Sequence, residues 1–297
     1  MSLVAYLQHS PLVFLIFSGL LGLVVGSFLN VVAHRLPIMM ERTWKRECRE
    51  WLADDGDSPA PGAAADEECL TLSQPRSRCP HCGHQITAKE NIPVFSWLML
   101  RGRCSGCGEK ISPRYPLVEI ITALLSVAVA WHFGATWQAA AGLGLTWALI
   151  ALTLIDFDVQ LLPDSITQPL LWAGLLLTLA PLFATPEEAI IGAVAGYLSL
   201  WSVFQGFKLL TGKEGMGYGD FKLLAVFGAW FGWQVLPQVL IVSSIVGAVV
   251  GVSLILFRGR DRSIPIPFGP YLAVAGWIAM MWGEALNNAY LRWAGLA

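Results

Sequence analysis

Eight apolar runs, most of them long enough to cross a bilayer, leave this chain few folds to choose from. They cover residues 11–33, 117–133, 137–155, 166–184, 189–209, 223–236, 239–257 and 268–290. Inside a hydrocarbon layer backbone N–H and C=O groups must pair within their own segment, so runs of this kind are helices. Composition agrees: 55% of the 297 residues are hydrophobic and 13% are charged, about half the charge of a soluble domain. The expected fold class is an all-α polytopic membrane protein with about eight transmembrane helices. Run 223–236 is the weakest, being short and holding Gly228 and Gly232. No nucleic-acid motif and no internal repeat is visible, and a formal net charge of −2 favours no class of partner.

Basic residues set the orientation. Residues 34–116 hold twelve of the nineteen Lys and Arg, from Arg35 to Arg114. Eight crossings from an outside N-terminus put that segment on the same side as loops 156–165, 210–222 and 258–267. Lys208, Lys213 and Lys222 surround one of these loops and Arg258, Arg260 and Arg262 lie in another. Eighteen basic residues then fall inside and Arg292 alone outside, as the positive-inside rule requires of cytoplasmic loops. The first run has no basic residue ahead of it and meets His34 and Arg35 at its far end. A cleaved secretory signal has the opposite polarity and a shorter apolar core, so residues 1–33 are expected to form a retained helix. Within 34–116, residues 54–68 are rich in Ala, Pro, Gly and acids and are expected to form a flexible loop.

Two acids stand at the inner ends of apolar runs. Asp156 closes the third, in Leu154-Ile155-Asp156-Phe157-Asp158, and Asp220 opens the sixth, in Gly215-Met216-Gly217-Tyr218-Gly219-Asp220. A carboxylate beside hydrocarbon is costly unless solvated, paired or used, and glycines allow close backbone approach. Two carboxylates brought together share a proton; the ionised one can activate water while the protonated one polarises a peptide carbonyl. That is aspartic-protease chemistry. Interfacial acids reaching water, or the proton relay of a transporter, would use the same residues. Asp158 and Asp164 lie close to Asp156, and spacing alone does not choose among them. Asp164 follows Leu161-Leu162-Pro163 and reads as the N-cap of the fourth run.

Cys79-Pro80-His81-Cys82 and Cys104-Ser105-Gly106-Cys107 form two C-x-x-C knuckles with 21 residues between them. Four thiolates at this spacing suit a tetrahedral zinc ion, and a closed four-thiolate sphere makes the ion structural. The expected cytoplasmic location disfavours disulfides. His81 and His84 read as solvated knuckle residues, and Cys48 and Cys69 as free thiols.

Gly217-Tyr218-Gly219-Asp220 resembles the GxGD signature of membrane-embedded aspartic proteases. The wider chain resembles the type IV prepilin peptidases, bifunctional leader peptidase/N-methyltransferases of pilus and type II secretion systems. The resemblance runs through Gly26-Ser27-Phe28-Leu29-Asn30, His34-Arg35-Leu36-Pro37, the four cysteines and Arg114-Tyr115-Pro116-Leu117-Val118-Glu119. It continues through Ile155-Asp156-Phe157-Asp158, Leu162-Pro163-Asp164 and Pro267-Phe268-Gly269-Pro270.

By that resemblance Asp156 and Asp220 are the catalytic pair. The substrates implied are prepilins and pseudopilins, each a short basic leader, a Gly and an apolar helix lying in membrane lipid. Cleavage is implied at the cytoplasmic face of the bacterial inner membrane, with methylation of the new N-terminus by S-adenosylmethionine. No loop of a methyl-donor type is visible; Gly102 and Glu119 are weak candidates for that site, a structural turn and an acid at a helix start being the plainer roles. Glu67 and Glu68 are candidates for attracting the basic leader. The expected domains are the helix in 1–33, a cytoplasmic zinc-binding domain in 34–116 and a transmembrane aspartic peptidase core in 117–297. A peptidase without methylation and a proton-coupled transporter are the alternatives.

Overall fold

The structure, a computed structural model, describes residues 8–53, 70–258, 267–293 and 295. The expected flexible loop at 54–68, with Glu67 and Glu68, lies outside them, as do Cys69, Arg260 and Arg262. Among the described residues there are nine α-helices: α1 (Pro11–Ala53), α2 (Phe95–Met99), α3 (Arg114–Phe133), α4 (Trp137–Val159), α5 (Asp164–Leu177), α6 (Pro186–Thr211), α7 (Tyr218–Phe231), α8 (Leu236–Arg258) and α9 (Gly269–Trp293). A 3-10 turn, Trp233–Val235, joins α7 to α8. The described residues contain no strand, only two isolated bridges, Arg78 with Gln85 and Arg103 with Lys110.

Each expected apolar run falls on a helix, but the lengths differ from expectation. Five helices are long and apolar enough to cross a membrane: α1, α3, α4, α6 and the helix formed by the 3-10 turn and α8. Helices α5 and α7 have 14 residues each, about 21 Å at 1.5 Å per residue, short of the roughly 30 Å hydrocarbon core. The fourth run extends to residue 184, yet α5 stops at Leu177, ahead of Pro181, which disfavours helix in the residue before it. Helix α1 goes the other way. It continues 20 residues past the end of the apolar run, through Pro37, to a total of 43. Good helix formers in 38–53 carry the helix on after the hydrocarbon ends.

The chain divides into two compact units. One is Leu15–Val127. In it the Arg35 guanidinium is buried and donates to the Thr71 and Pro75 carbonyls at 2.9 and 2.7 Å. Asn30 Nδ2 donates to the Tyr115 carbonyl at 3.2 Å. These bonds fasten the segment after residue 70 and the start of α3 to α1.

The other unit is Met1–Phe14 with Ala128–Ala297. Its central element is α7, buried from Asp220 to Trp230 except at Lys222 and packed on α5, α6, α8 and α9. Lipid is as apolar as leucine, so helices in it are held by close packing rather than by exclusion from water. Helices α6 and α7 meet backbone to backbone at Gly192 and Gly228, where any Cβ would overlap the facing helix. The buried Trp230 and half-buried Trp277 indoles find acceptors: Trp230 Nε1 donates to the Leu170 carbonyl at 2.8 Å and Trp277 Nε1 to Thr146 Oγ1 at 3.1 Å. Helix α6 starts in a capping box, Thr185 and Glu188 each taking the other's backbone N–H. Exposed apolar stripes run down helix faces, Ile241, Ile245, Val249, Val252 and Leu256 on α8 for example. Such stripes suit lipid contact.

Candidate active site and metal centre

Asp156 stands in the last turn of α4 and Asp220 in the first turn of α7, both in the same unit. They are 5% and 7% exposed, and the Asp156 carboxylate lies within electrostatic reach of Asp220. Asp158 lies two residues on, and the helical rotation turns it outward to an exposed position. Of the acids that spacing left open, Asp156 is the buried one. Asp220 is the third helical residue after Gly217, and its carboxylate takes the Gly217 N–H, a bond that fixes the side chain at the helix start. Asp156 faces the Gly269 N–H, but its Oδ2 has no hydrogen-bond partner in the protein. A buried carboxylate oxygen left in that state is poised to share a proton or to bind an outside group.

The glycines of this region owe their identity to close approach. A Cβ on Gly269 would stand 2.6 Å from Asp156 Oδ2, and one on Gly219 would stand 2.7 Å from Leu162 Cβ. Gly217 is different: its φ is −79° and the space beside it is open, the nearest atom being Asp220 Oδ2 at 3.8 Å. Leu162, 7% exposed, therefore wedges between Gly219 and Gly269 and fills the gap next to both acids. Leu162 and Gly269 were legible in the sequence only as members of motifs, with no role attached. Asp164 is not a cap. Pro163 holds that position, and Asp164 is the first residue of α5, its carboxylate paired with Lys222 Nζ at 2.6 and 2.7 Å. The lysine ammonium offers a carboxylate more than a backbone N–H does.

The four knuckle cysteines converge, every Sγ lying within 4.8 Å of the others. Cys79 to Cys107 is 3.9 Å and Cys82 to Cys104 is 4.0 Å, close to the roughly 3.8 Å tetrahedral edge implied by Zn–S bonds of about 2.3 Å. The two knuckles are built alike, so the sequence does hold a short repeat, C-x-x-C-G, at an offset of 25 positions. Gly83 N–H donates to the Cys79 carbonyl and Gly108 N–H to that of Cys104, both at 2.9 Å. Apolar periodicity gave no sign of it, because the repeat consists of turn residues. His84 is not simply solvated: Nε2 lies 3.1 Å from Ser105 Oγ and 3.3 Å from Glu90 Oε1. The Ser105 hydroxyl, with the Thr87 N–H and hydroxyl, pulls the Glu90 carboxyl down to about 2. His84 and Glu90 thus tie the first knuckle to the second. Cys48 is an exposed free thiol.

Gly102 and Glu119 both have partners inside the chain. Gly102 turns the backbone at φ +66°, against the Trp97 ring. Glu119 is buried, accepts from the Val94 N–H at 2.7 Å and bonds Ser27. Val94 has φ 59°, a conformation that costs a β-branched residue strain, and the Glu119 bond helps to hold it there.

Two family descriptions match the chain, Bacterial Peptidase A24 N-terminal domain over residues 20–133 and Type IV leader peptidase family over residues 143–252. A prepilin leader peptidase/N-methyltransferase of Stutzerimonas stutzeri is 57% identical over 296 residues, the whole of both chains. The chain belongs to the type IV leader peptidase family. Proteins of the same description from Pseudomonas aeruginosa, 58% identical over 99% of each chain, and Aeromonas hydrophila, 57% identical over 98% of this chain and 99% of the other, agree. No solved structure matches. The resemblance read from the motifs holds from end to end, and the chain is a multi-pass bacterial membrane protein of a peptidase family.

Proposed function

We propose that this type IV leader peptidase family member cleaves the leader from prepilins and pseudopilins at the cytoplasmic membrane face, with Asp156 and Asp220 as its catalytic pair. The observation that carries the reading is the meeting of two buried carboxylates from the ends of α4 and α7, one with an unpartnered oxygen. The ionised carboxylate takes a proton from water, the oxygen attacks the scissile carbonyl carbon, and the other acid gives its proton to the carbonyl oxygen. The tetrahedral intermediate collapses with C–N cleavage as the leaving nitrogen takes up a proton. A carboxylate on the leader and a free amine on the pilin result.

The family relatives' description supports methylation of that amine with S-adenosylmethionine as donor. Gly102, against the Trp97 ring, and Glu119, bonded to the Val94 N–H, are the candidates for the donor site. Cys79, Cys82, Cys104 and Cys107 would hold a zinc ion; when bound it supplies a structural cross-link and no chemistry in cleavage. Each of the eight apolar runs lies on a helix, five of them of spanning length; eight crossings require the bilayer to thin around the short α5 and α7. The eighteen-to-one distribution of basic residues supports a cytoplasmic active site.

Asp156→Asn and Asp220→Asn should each lower prepilin cleavage by about 10³-fold or more, with insertion and purification unchanged. Mass analysis after incubation with a prepilin and S-adenosylmethionine reads both reactions, as loss of the leader and as gain of one methyl group. Full cleavage by either variant would sink the aspartate pair; cleaved but unmethylated product from wild type would leave a peptidase only.

A further inference from the structure

The ion pair between Lys222 and Asp164 has no place in the chemistry above. Lys222 Nζ reaches both Asp164 oxygens, at 2.6 and 2.7 Å, with the two side chains 27% and 59% exposed. A pair this exposed adds little to stability by itself. Its location gives it another use. Lys222 is two residues past Asp220 in α7, and Asp164 is eight past Asp156, across the turn that links α4 to α5.

That turn begins at Gln160, in the left-handed conformation at φ 54°, whose N–H bonds the Asp156 carbonyl at 3.0 Å. It then buries Leu162 against Gly219 and ends at Asp164. The connection is thus fastened to α7 twice, by an apolar wedge one residue before Asp220 and by an ion pair two residues after it. The wedge fixes the approach of the two elements but lets them slide, since apolar contacts are non-directional. The two-oxygen contact of a carboxylate with an ammonium adds a fixed point to that sliding surface.

We propose that Lys222 and Asp164 are positioning residues for cleavage, a clip between α7 and the α4–α5 connection that sets the register of Asp220 against Asp156. The proposal rests on the reading of those aspartates as the catalytic pair. Breaking the clip leaves both carboxylates present and the substrate path intact, so the loss falls on turnover. A misplacement of about 1 Å can cost on the order of 10²-fold.

The test is steady-state cleavage of a prepilin by purified full-length Asp164→Asn, Lys222→Met, Lys222→Arg and the charge-swapped double variant Asp164→Lys/Lys222→Asp. Asp220→Asn runs alongside, with thermal unfolding measured for each. We expect Asp164→Asn and Lys222→Met to lose about tenfold or more in kcat with KM within about twofold. Lys222→Arg and the swap should recover most of that loss. Wild-type kcat in both single variants overturns the proposal. So does a swap no better than the singles, because Lys222 would then act alone rather than through Asp164. Equal losses in kcat and in melting temperature that track each other across all variants also overturn it, as a plain stability effect. If instead Asp220→Asn cleaves at the wild-type rate, it is the aspartate reading that fails, whatever the clip variants do.

Discussion

At Gly269 a single hydrogen decides how the candidate site is built. Its Cα stands so near Asp156 that one methyl group would overlap the Oδ2 oxygen, while Gly219 accepts the Leu162 side chain where a Cβ would be. Gly269→Ala should therefore push the Asp156 carboxylate away from Asp220 and lower cleavage by on the order of 10²-fold. Circular dichroism and gel filtration should stay as in wild type, and an unimpaired Gly269→Ala enzyme would refute the role. Gly217→Ala, with open space and φ −79°, should be milder in the same assay. Both glycines of the GxGD turn looked equivalent in the sequence. Only the packing of Leu162 separates them, and Leu162 arrives from 57 positions upstream of Gly219.

Among the elements, the two knuckles are the most self-contained. Each closes its own backbone turn, and the His84–Glu90–Ser105 contacts join them before any ion is considered. Purified wild-type protein should carry about one zinc per chain by metal analysis, falling to near zero in Cys79→Ser/Cys82→Ser. Metal-free wild type, purified without chelator, would refute the assignment. The four-cysteine cluster was readable because C-x-x-C spacing is local. Helix α7 was the hardest element to read, being short and glycine-interrupted. Its burial on four neighbouring helices and its backbone contact with α6 at Gly192 and Gly228 explain how it stands in an apolar interior without the length of a full crossing.

For the whole molecule the orientation is the claim most open to test. Cys48 is an exposed thiol on the polar extension of α1, a stretch that the proposed orientation puts in the cytoplasm. A membrane-impermeant maleimide should label Cys48 in inverted membrane vesicles and not in intact spheroplasts, with Cys48→Ser as the blank. Labelling from the outside would reverse the topology and with it the cytoplasmic location of cleavage. The length of α1 bears on this: 43 residues are about 65 Å, so its second half stands clear of the bilayer instead of turning back into a loop at residue 34.

The sequence by itself determined the membrane class, the helical architecture, the family and the four-cysteine cluster. Hydrocarbon length, basic-residue bias and knuckle spacing are all properties of contiguous or nearby residues. Tertiary structure alone decided that Asp156 is buried and Asp158 exposed, that Leu162 wedges beside both acids, and that Asp164 pairs with Lys222 rather than capping α5. Those facts depend on how α4, α5, α7 and α9 pack, and the periodicity of an apolar helix does not say which neighbour it will meet.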